Sequence, residues 1–226
     1  MGWHAVGARV GRSRQGRTWL NVSAGLTLAV NTVVLCPPVL AVVSGHLRGD
    51  EPGIGVPVAI SDNDAGRAVF TPPPLFPGDS LTRCVGVKYT GSPPPAGIRM
   101  YTAAAQEADH SGPWRAWAND ATSELDDYLR LAIHINDTDL ATDPGTTCTP
   151  DGVGVFHDIT GSTSPVTLRS LIDKHRDYAT GLDCQWGRVA TNRWRIFKIT
   201  YTFSRVAPMT TQGDSLHFDF VWEAQR

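Results

Sequence analysis

The sequence predicts an all-β protein, an antiparallel β-sandwich with one or two short helices, preceded by an N-terminal hydrophobic segment. Two features of composition support this class: the 226 residues include 22 glycines and 16 prolines, and only 19% of residues are charged. Such a chain is rich in turns and unlike a coiled coil or a disordered polymer. The third observation is a recurrent two-residue alternation of apolar and polar side chains, which is typical of half-buried strands.

The clearest strand is predicted over residues 129–136, where Leu129, Leu131, Ile133 and Ile135 alternate with polar or small residues. The same alternation marks two C-terminal strands, which are rich in aromatic residues and lie at residues 197–203 and 216–223. Further extended segments, bounded by glycine and proline, are expected at residues 56–60, 67–70, 81–89 and 98–102. The first two of these segments are predicted to form a hairpin.

One helix is predicted between Ser164, a suitable N-cap, and Gly181, a suitable terminator. Pro165 fits its first helical position, because that backbone nitrogen needs no hydrogen-bond partner. A second short helix is expected within either residues 103–108 or residues 123–128. Little helix among many short strands favours a sandwich of sheets.

The N-terminal segment, residues 1–45, is predicted to direct export. It carries four arginines and no acid, and an apolar stretch runs from Trp19 to Val43. A basic start followed by an apolar run is typical of a secretory signal peptide, which would engage signal peptidase and the membrane. One predicted fate of this segment is removal by cleavage after Gly45. The other is a retained membrane-anchoring helix with a cytoplasmic N-terminus, because its length also suits a bilayer span.

The rest of the chain is predicted to be a linker, residues 46–55, and a single β-sandwich domain, residues 56–226. Once the four N-terminal arginines are set aside, 16 basic residues face 22 acidic ones, a net charge of −6. Nucleic-acid binding needs a basic surface that neutralises phosphates. The acidic balance therefore excludes nucleic acid as the expected partner. Because the N-terminal segment is predicted to direct export, the domain is expected outside the cell or at its surface.

Cysteine usage agrees with export. Cys36 lies in the apolar leader, and Cys84, Cys148 and Cys184 follow it. An oxidising compartment permits disulfides, and three cysteines allow a single bridge. The pair Cys84–Cys148 is favoured, because Cys184 lies in a separate loop next to a tryptophan.

No catalytic motif is recognisable, and no cofactor is expected. Two acidic turns are weak candidates for calcium binding, since hard cations bind clustered oxygens. Their carboxylates are Asp62 and Asp64 in one turn and Asp137 and Asp139 in the other. The alternative explanation is an ordinary solvated turn, where aspartate is favoured without any metal.

Tryptophans offer the other candidate site. Trp114 and Trp117 lie in a polar segment that contains Gly112 and Pro113, unlike Trp222, which continues the apolar face of a strand. Exposed indole rings could serve as stacking platforms for sugars. Packing against the sheet is the alternative for both side chains.

Several short motifs, in order, resemble the actinobacterial branch of the TasA/camelysin family. They are VAISDND at 58–64, AVF at 68–70, PGDSLTRC at 77–84, VKYTGS at 87–92, IRMY at 98–101, YLRLAI at 128–133 and FVWEA at 220–224, and the resemblance covers residues 56–226. The resemblance implies exported proteins with a leader cut by a dedicated signal peptidase, and a jelly-roll sandwich. It also implies fibre subunits of the extracellular matrix that add a strand to the next copy, here from residues 46–58.

The expected function is therefore that of a non-enzymatic, exported structural protein of the cell envelope or extracellular matrix, with itself or homologous matrix subunits as partners. The alternative is a surface module that binds glycans or envelope polymers through Trp114 and Trp117. A camelysin-like metallopeptidase is the third and least favoured hypothesis, because no metal-ligand spacing is recognisable.

Overall fold

Two β-sheets that face each other across an apolar core form the body of the protein. The computed structural model describes residues 40–47, 60–63, 68–70, 75–90, 97–110, 112–120, 124–161, 165–186, 191–211 and 213–225. Within these ranges the strands are β1 (Leu40–Leu47), β2 (Ile60–Asp62), β3 (Ala68–Phe70), β4 (Ser80–Tyr89), β5 (Gly97–Ala108), β6 (Arg115–Ala116), β7 (Leu129–Asn136), β8 (Phe156–Asp158), β9 (Val166–Thr167), β10 (Leu182–Asp183), β11 (Arg193–Phe203) and β12 (Ser215–Gln225). The helices are α1 (Leu125–Tyr128) and α2 (Leu168–Lys174), with a 3-10 turn at Met209–Thr211.

The first sheet has the order β10-β5-β12-β1-β3, and β6 adds to β5. Its pairs are antiparallel except for β1 and β12, which run parallel. The second sheet has the order β2-β4-β11-β7-β8, with β9 added to β7, and is antiparallel throughout. The prediction of a mostly antiparallel, all-β, sandwich-like fold with few helices is confirmed.

The core lies between the inner faces of the two sheets, and the predicted two-residue alternation gives its members. All four apolar residues of β7 are at most 2% exposed, as are Phe218, Phe220 and Trp222 of β12. The rings of Trp222 and Phe197, from opposite sheets, meet edge to face with centroids 5.2 Å apart. Such aromatic pairs contribute about 0.5–1.5 kcal/mol beyond the area that they bury.

Strand β1 overlaps the end of the predicted leader. It pairs in parallel with β12 from Leu40 opposite Ser215 to Leu47 opposite Trp222. The chain from Leu40 to Val43 is thus extended, whereas the anchor hypothesis placed a helix from Trp19 to Val43. Residues 1–39 lie outside the described part of the chain. Among the residues that are described, no helix is long and apolar enough to cross a membrane.

Two local predictions are corrected. The expected hairpin is wrong, because β2 pairs with β4 in the second sheet and β3 pairs with β1 in the first. The helix expected from Pro165 to Gly181 is shorter at both ends. It begins later, because the residues of β9 pair with β7 and Thr167 then caps α2, its hydroxyl accepting from the Ser170 N–H at 3.2 Å, and it ends at Lys174. Of the two places proposed for a second helix, α1 occupies one and β5 crosses the other.

A disulfide attaches the long loop of residues 137–155 to the outer face of the second sheet. The structure joins Cys84 of β4 to Cys148 of this loop, with the sulfur atoms 2.09 Å apart. Beneath the loop, Leu140 packs with Cys84 and Ile196 in a small apolar cluster, separate from the main core. The cross-link thus closes a segment that covers apolar surface outside the sandwich.

The same loop buries Asn136, one of the polar residues that alternate with the apolar side chains of β7. Asn136 is 0% exposed, and its side-chain oxygen accepts from the backbone N–H of Ile196 at 2.7 Å. Its amide nitrogen donates to the carbonyl oxygens of Val153, at 3.0 Å, and Thr138, at 2.5 Å. The period of a strand cannot reveal this burial, because the loop that covers Asn136 follows it in the chain.

Replacing both Cys84 and Cys148 by serine should lower the free energy of unfolding by about 2–4 kcal/mol, because the closed loop restricts the unfolded chain. Urea titrations followed by circular dichroism would measure the change. Dithiothreitol should destabilise the wild type to a similar extent and leave the double variant unaffected. Equal stability of the two proteins without reductant would contradict the stabilising role of the bridge.

Candidate functional site

A cleft of about 400 Å³ opens at the middle of β5, on the side where α2 and the segment after β6 approach this strand. This volume is within the range of about 300–1,000 Å³ that is typical of ligand sites. The residues that line it combine small apolar, aromatic, amide and cationic side chains, and they are Thr102, Ala103, Ala104, Ala105, Trp117, Asn119, Ile172 and Arg176.

The floor of the cleft is formed by a β-bulge. His217 of β12 pairs with Gln106, whereas Asp219 pairs with Ala103, so two residues of β5 lie opposite one of β12. Ala104, inside the bulge, has a φ of +50°, in the left-handed region that non-glycine residues rarely adopt. Bulges re-aim neighbouring groups and occur preferentially at functional sites. Here the bulge brings three alanines and their backbone to the floor of the cleft.

A hydrogen-bonded network holds the wall that carries Trp117 and Asn119. The Trp117 indole donates to Oδ2 of Asp126 at 2.7 Å, and the guanidinium of Arg169 donates to Oδ1 of the same carboxylate at 3.1 Å. Arg169 also donates to the side-chain oxygen of Asn119 at 3.2 Å. Asp126 is 1% exposed, so one buried carboxylate and one arginine fix both wall residues.

The opposite wall is formed by α2 and the residues that follow it. Ile172 of α2 belongs to the main core, and both the N–H and the hydroxyl of Thr102 donate to the His175 carbonyl, at 2.8 and 2.9 Å. These bonds fix the end of α2 against β5. Arg176 lies at the rim, where its guanidinium pairs with Asp173 one turn earlier. Exposed pairs of this kind contribute little to stability, so Arg176 remains adaptable.

Of the two predicted tryptophans, the structure places only Trp117 at the cleft. Trp117 is half-buried against the main core. Trp114 is 48% exposed and meets His217 edge to face, with ring centroids 6.4 Å apart. Trp117 therefore lines the cleft, and its role as a binding residue stays a prediction. Asn119 and Arg176 carried no comparable signal, because their places depend on contacts between distant parts of the chain.

The calcium candidates are engaged by protein donors where their side chains are described. Asp137 accepts from the backbone N–H of Val155 at 3.0 Å, which holds the pKa of this carboxyl below its usual value. Asp139 accepts from Arg195 at 2.6 Å and from the Trp186 indole at 3.2 Å.

The other calcium turn is only partly described. The Asp62 side chain and Asp64 lie outside the described part of the structure. Among the described residues, no group of three or more His, Cys, Asp or Glu side chains is arranged to hold a metal ion.

An acidic cluster adjoins the network behind the cleft. Glu107, Glu124, Asp126 and Asp214 surround a space of about 10 Å³, and the guanidinium of Arg115 lies 3.1 Å from Glu107. Burial raises the pKa of Glu107 and of Asp126, and the Trp117 indole partly opposes the shift at Asp126. Burial also raises the pKa of Asp214 to about 6, although His110, whose Nδ1 lies 3.5 Å away, opposes this shift.

The chain matches no protein-family model and no curated protein sequence.

Asp214→Asn should stabilise the protein at neutral pH. Because the folded-state pKa is about 6 and the unfolded value is about 4, Asp214 contributes most stability below pH 4 and loses that contribution as the pH rises through 6. The neutral variant avoids burying this charge. Its free energy of unfolding at pH 7 should exceed that of the wild type by about 1–3 kcal/mol, as measured in urea.

The difference between Asp214→Asn and the wild type should shrink towards pH 4, where Asp214 itself is protonated in the folded protein. The exposed Asp151, substituted in the same way, provides the control and should change stability little at either pH. A variant less stable than the wild type at pH 7 would show that ionised Asp214 stabilises the fold.

Proposed function

We propose that this chain is an exported, non-enzymatic protein of the cell envelope or extracellular matrix. The observation that carries the proposal is the disulfide between Cys84 and Cys148, whose Cys84 end is 4% exposed. Disulfides persist in oxidising compartments and are rare in the cytosol. The basic, apolar leader supports the same location. The family resemblance adds a jelly-roll arrangement of the two sheets and the possibility of self-assembly.

Assembly by strand addition requires an accessible sheet edge. The outermost strands among the described residues are only two or three residues long: β2, β3, β6, β8, β9 and β10. Short edge strands limit unguided pairing between copies. A donor segment supplied by another copy would therefore have to pair with a longer inner strand or replace an existing edge.

Protease treatment of intact cells that express the full chain would test its location. We expect the domain to be digested from outside the membrane, and Cys84 and Cys148 to resist maleimide labelling in denaturant until the protein is reduced. A protected chain with reactive thiols at both positions would overturn the proposal.

Light scattering of the purified full chain, with and without calcium, would then separate a matrix subunit from a monomeric module. Growth into polymers would support the subunit. Stoichiometric zinc in the same preparation would instead favour the camelysin-like metallopeptidase.

The second candidate function is a surface module that binds glycans or envelope polymers. The cleft favours it, because Trp117 presents a half-buried aromatic ring beside polar side chains and small apolar ones. Binding sites for small polar ligands commonly combine an apolar lining with a few oriented polar groups.

Trp117→Ala should abolish binding to envelope polymers isolated from the cells, whereas Trp114→Ala, which alters an exposed indole outside the cleft, should not. A pull-down with insoluble polymer would measure both variants, and circular dichroism would verify that each remains folded. Equal binding by wild type and Trp117→Ala would contradict a role for the cleft.

A further inference from the structure

The cleft on β5 has an arrangement of groups that suits one particular sugar substituent. Its floor is lined by three small apolar residues at the bulge of β5, Ala103, Ala104 and Ala105. Trp117 and Ile172 add apolar surface on the two sides. A small apolar group, such as a methyl, would be desolvated on this floor.

Asn119 supplies the polar counterpart of that floor. Its side-chain oxygen accepts from Arg169 at 3.2 Å, which orients the amide. Because this bond uses the oxygen, the NH₂ end of the same amide is the part that can donate to a ligand. An amide donor beside a methyl-sized apolar floor matches an acetamide, which carries a carbonyl oxygen and a methyl group.

The charges around the cleft favour a neutral ligand. Arg176 lines the rim, and its partner Asp173 offsets its charge. Behind the opposite wall lie the carboxylates of Asp126 and Asp127, which both pair with Arg169. The cations near the cleft, Arg176 and Arg169, are thus already paired with carboxylates, which favours a neutral sugar over an anionic one, and a cationic amino sugar would face Arg176. The guanidinium can donate to neutral hydroxyl groups without this conflict.

We propose that the cleft binds an N-acetylated hexosamine of a neutral envelope glycan, an assignment that rests on the binding-module function proposed above. The acetamide methyl lies on the alanine floor, and its carbonyl accepts from Asn119. The apolar face of the sugar ring packs on Trp117, and Arg176 donates to hydroxyl groups at the rim. Asp126 and Arg169 act as positioning residues, because they hold Trp117 and Asn119 without lining the cleft themselves.

Two oligosaccharides with the same β-1,4-linked backbone differ only in the acetamide, so comparing them measures its contribution to binding. Chitotriose carries it on each sugar, and cellotriose has a hydroxyl group in its place. Isothermal titration of the purified full chain should give an affinity for chitotriose about tenfold or more above that for cellotriose, as expected when one hydrogen bond and one buried methyl are lost together. The Trp117 indole N–H resonance, assigned with Trp117→Phe, should shift on titration.

Asn119→Asp keeps an oxygen for Arg169 and removes the NH₂ donor. It should weaken chitotriose binding about tenfold and reduce the preference over cellotriose. Asn192→Asp, the same substitution at an exposed turn residue that does not line the cleft, is the matched control and should bind as the wild type.

The results separate the two levels of the proposal. Equal affinities for chitotriose and cellotriose, both lost in Trp117→Ala, would overturn the acetamide assignment and leave the binding module intact. Absence of chitotriose binding would overturn the acetamide assignment. The pull-down with envelope polymer would test independently whether the chain is a binding module. Binding of N-acetyl-trialanine amide as tight as that of chitotriose would overturn it in favour of a peptide ligand.

Discussion

The apolar contact between the two sheets is the constraint on which the remaining structure depends. Phe197 of β11 and Trp222 of β12 meet across it, and the helices α1 and α2 contact strands of both sheets. Leu168, Leu171 and Ile172 of α2 belong to the same buried cluster. Because the cleft lies between α2 and β5, its existence follows from the way in which the sheets pack.

The hydrogen-bonded network behind the cleft contains carboxylates whose burial is electrostatically unfavourable. The Asp126 carboxylate that orients Trp117 is almost fully buried, and burial raises its pKa together with those of Glu107 and Asp214. Burying several carboxylates near one another opposes folding at neutral pH. Arg115 and Arg169 offset part of this cost. Carboxylates with shifted pKa values often cluster at functional sites, and the ones here lie behind the wall that carries Trp117.

The sequence predicted the features that depend on short-range pattern. The alternation in β7, β11 and β12 follows from a period of two, so their inward faces could be identified directly. Asn136 obeys the same period and is nevertheless buried, because a loop closed by a distant cysteine covers it. The helix after Pro165 begins later than predicted, since the pairing of Val166 and Thr167 with β7 overrides local propensity. Residue type indicated Trp117, whereas the place of Arg176 depends on tertiary contacts.

The disulfide and the cleft belong to different parts of the fold. Cys84 and Cys148 lie on the outer face of the second sheet, whereas β5, which forms the floor of the cleft, belongs to the first. The disulfide therefore holds the loop of residues 137–155 against β4 and restricts the unfolded chain. None of the residues that line the cleft lies in that loop. Loss of the disulfide and substitution of the cleft side chains should consequently have separate effects, because neither set of residues contacts the other in the described part of the chain.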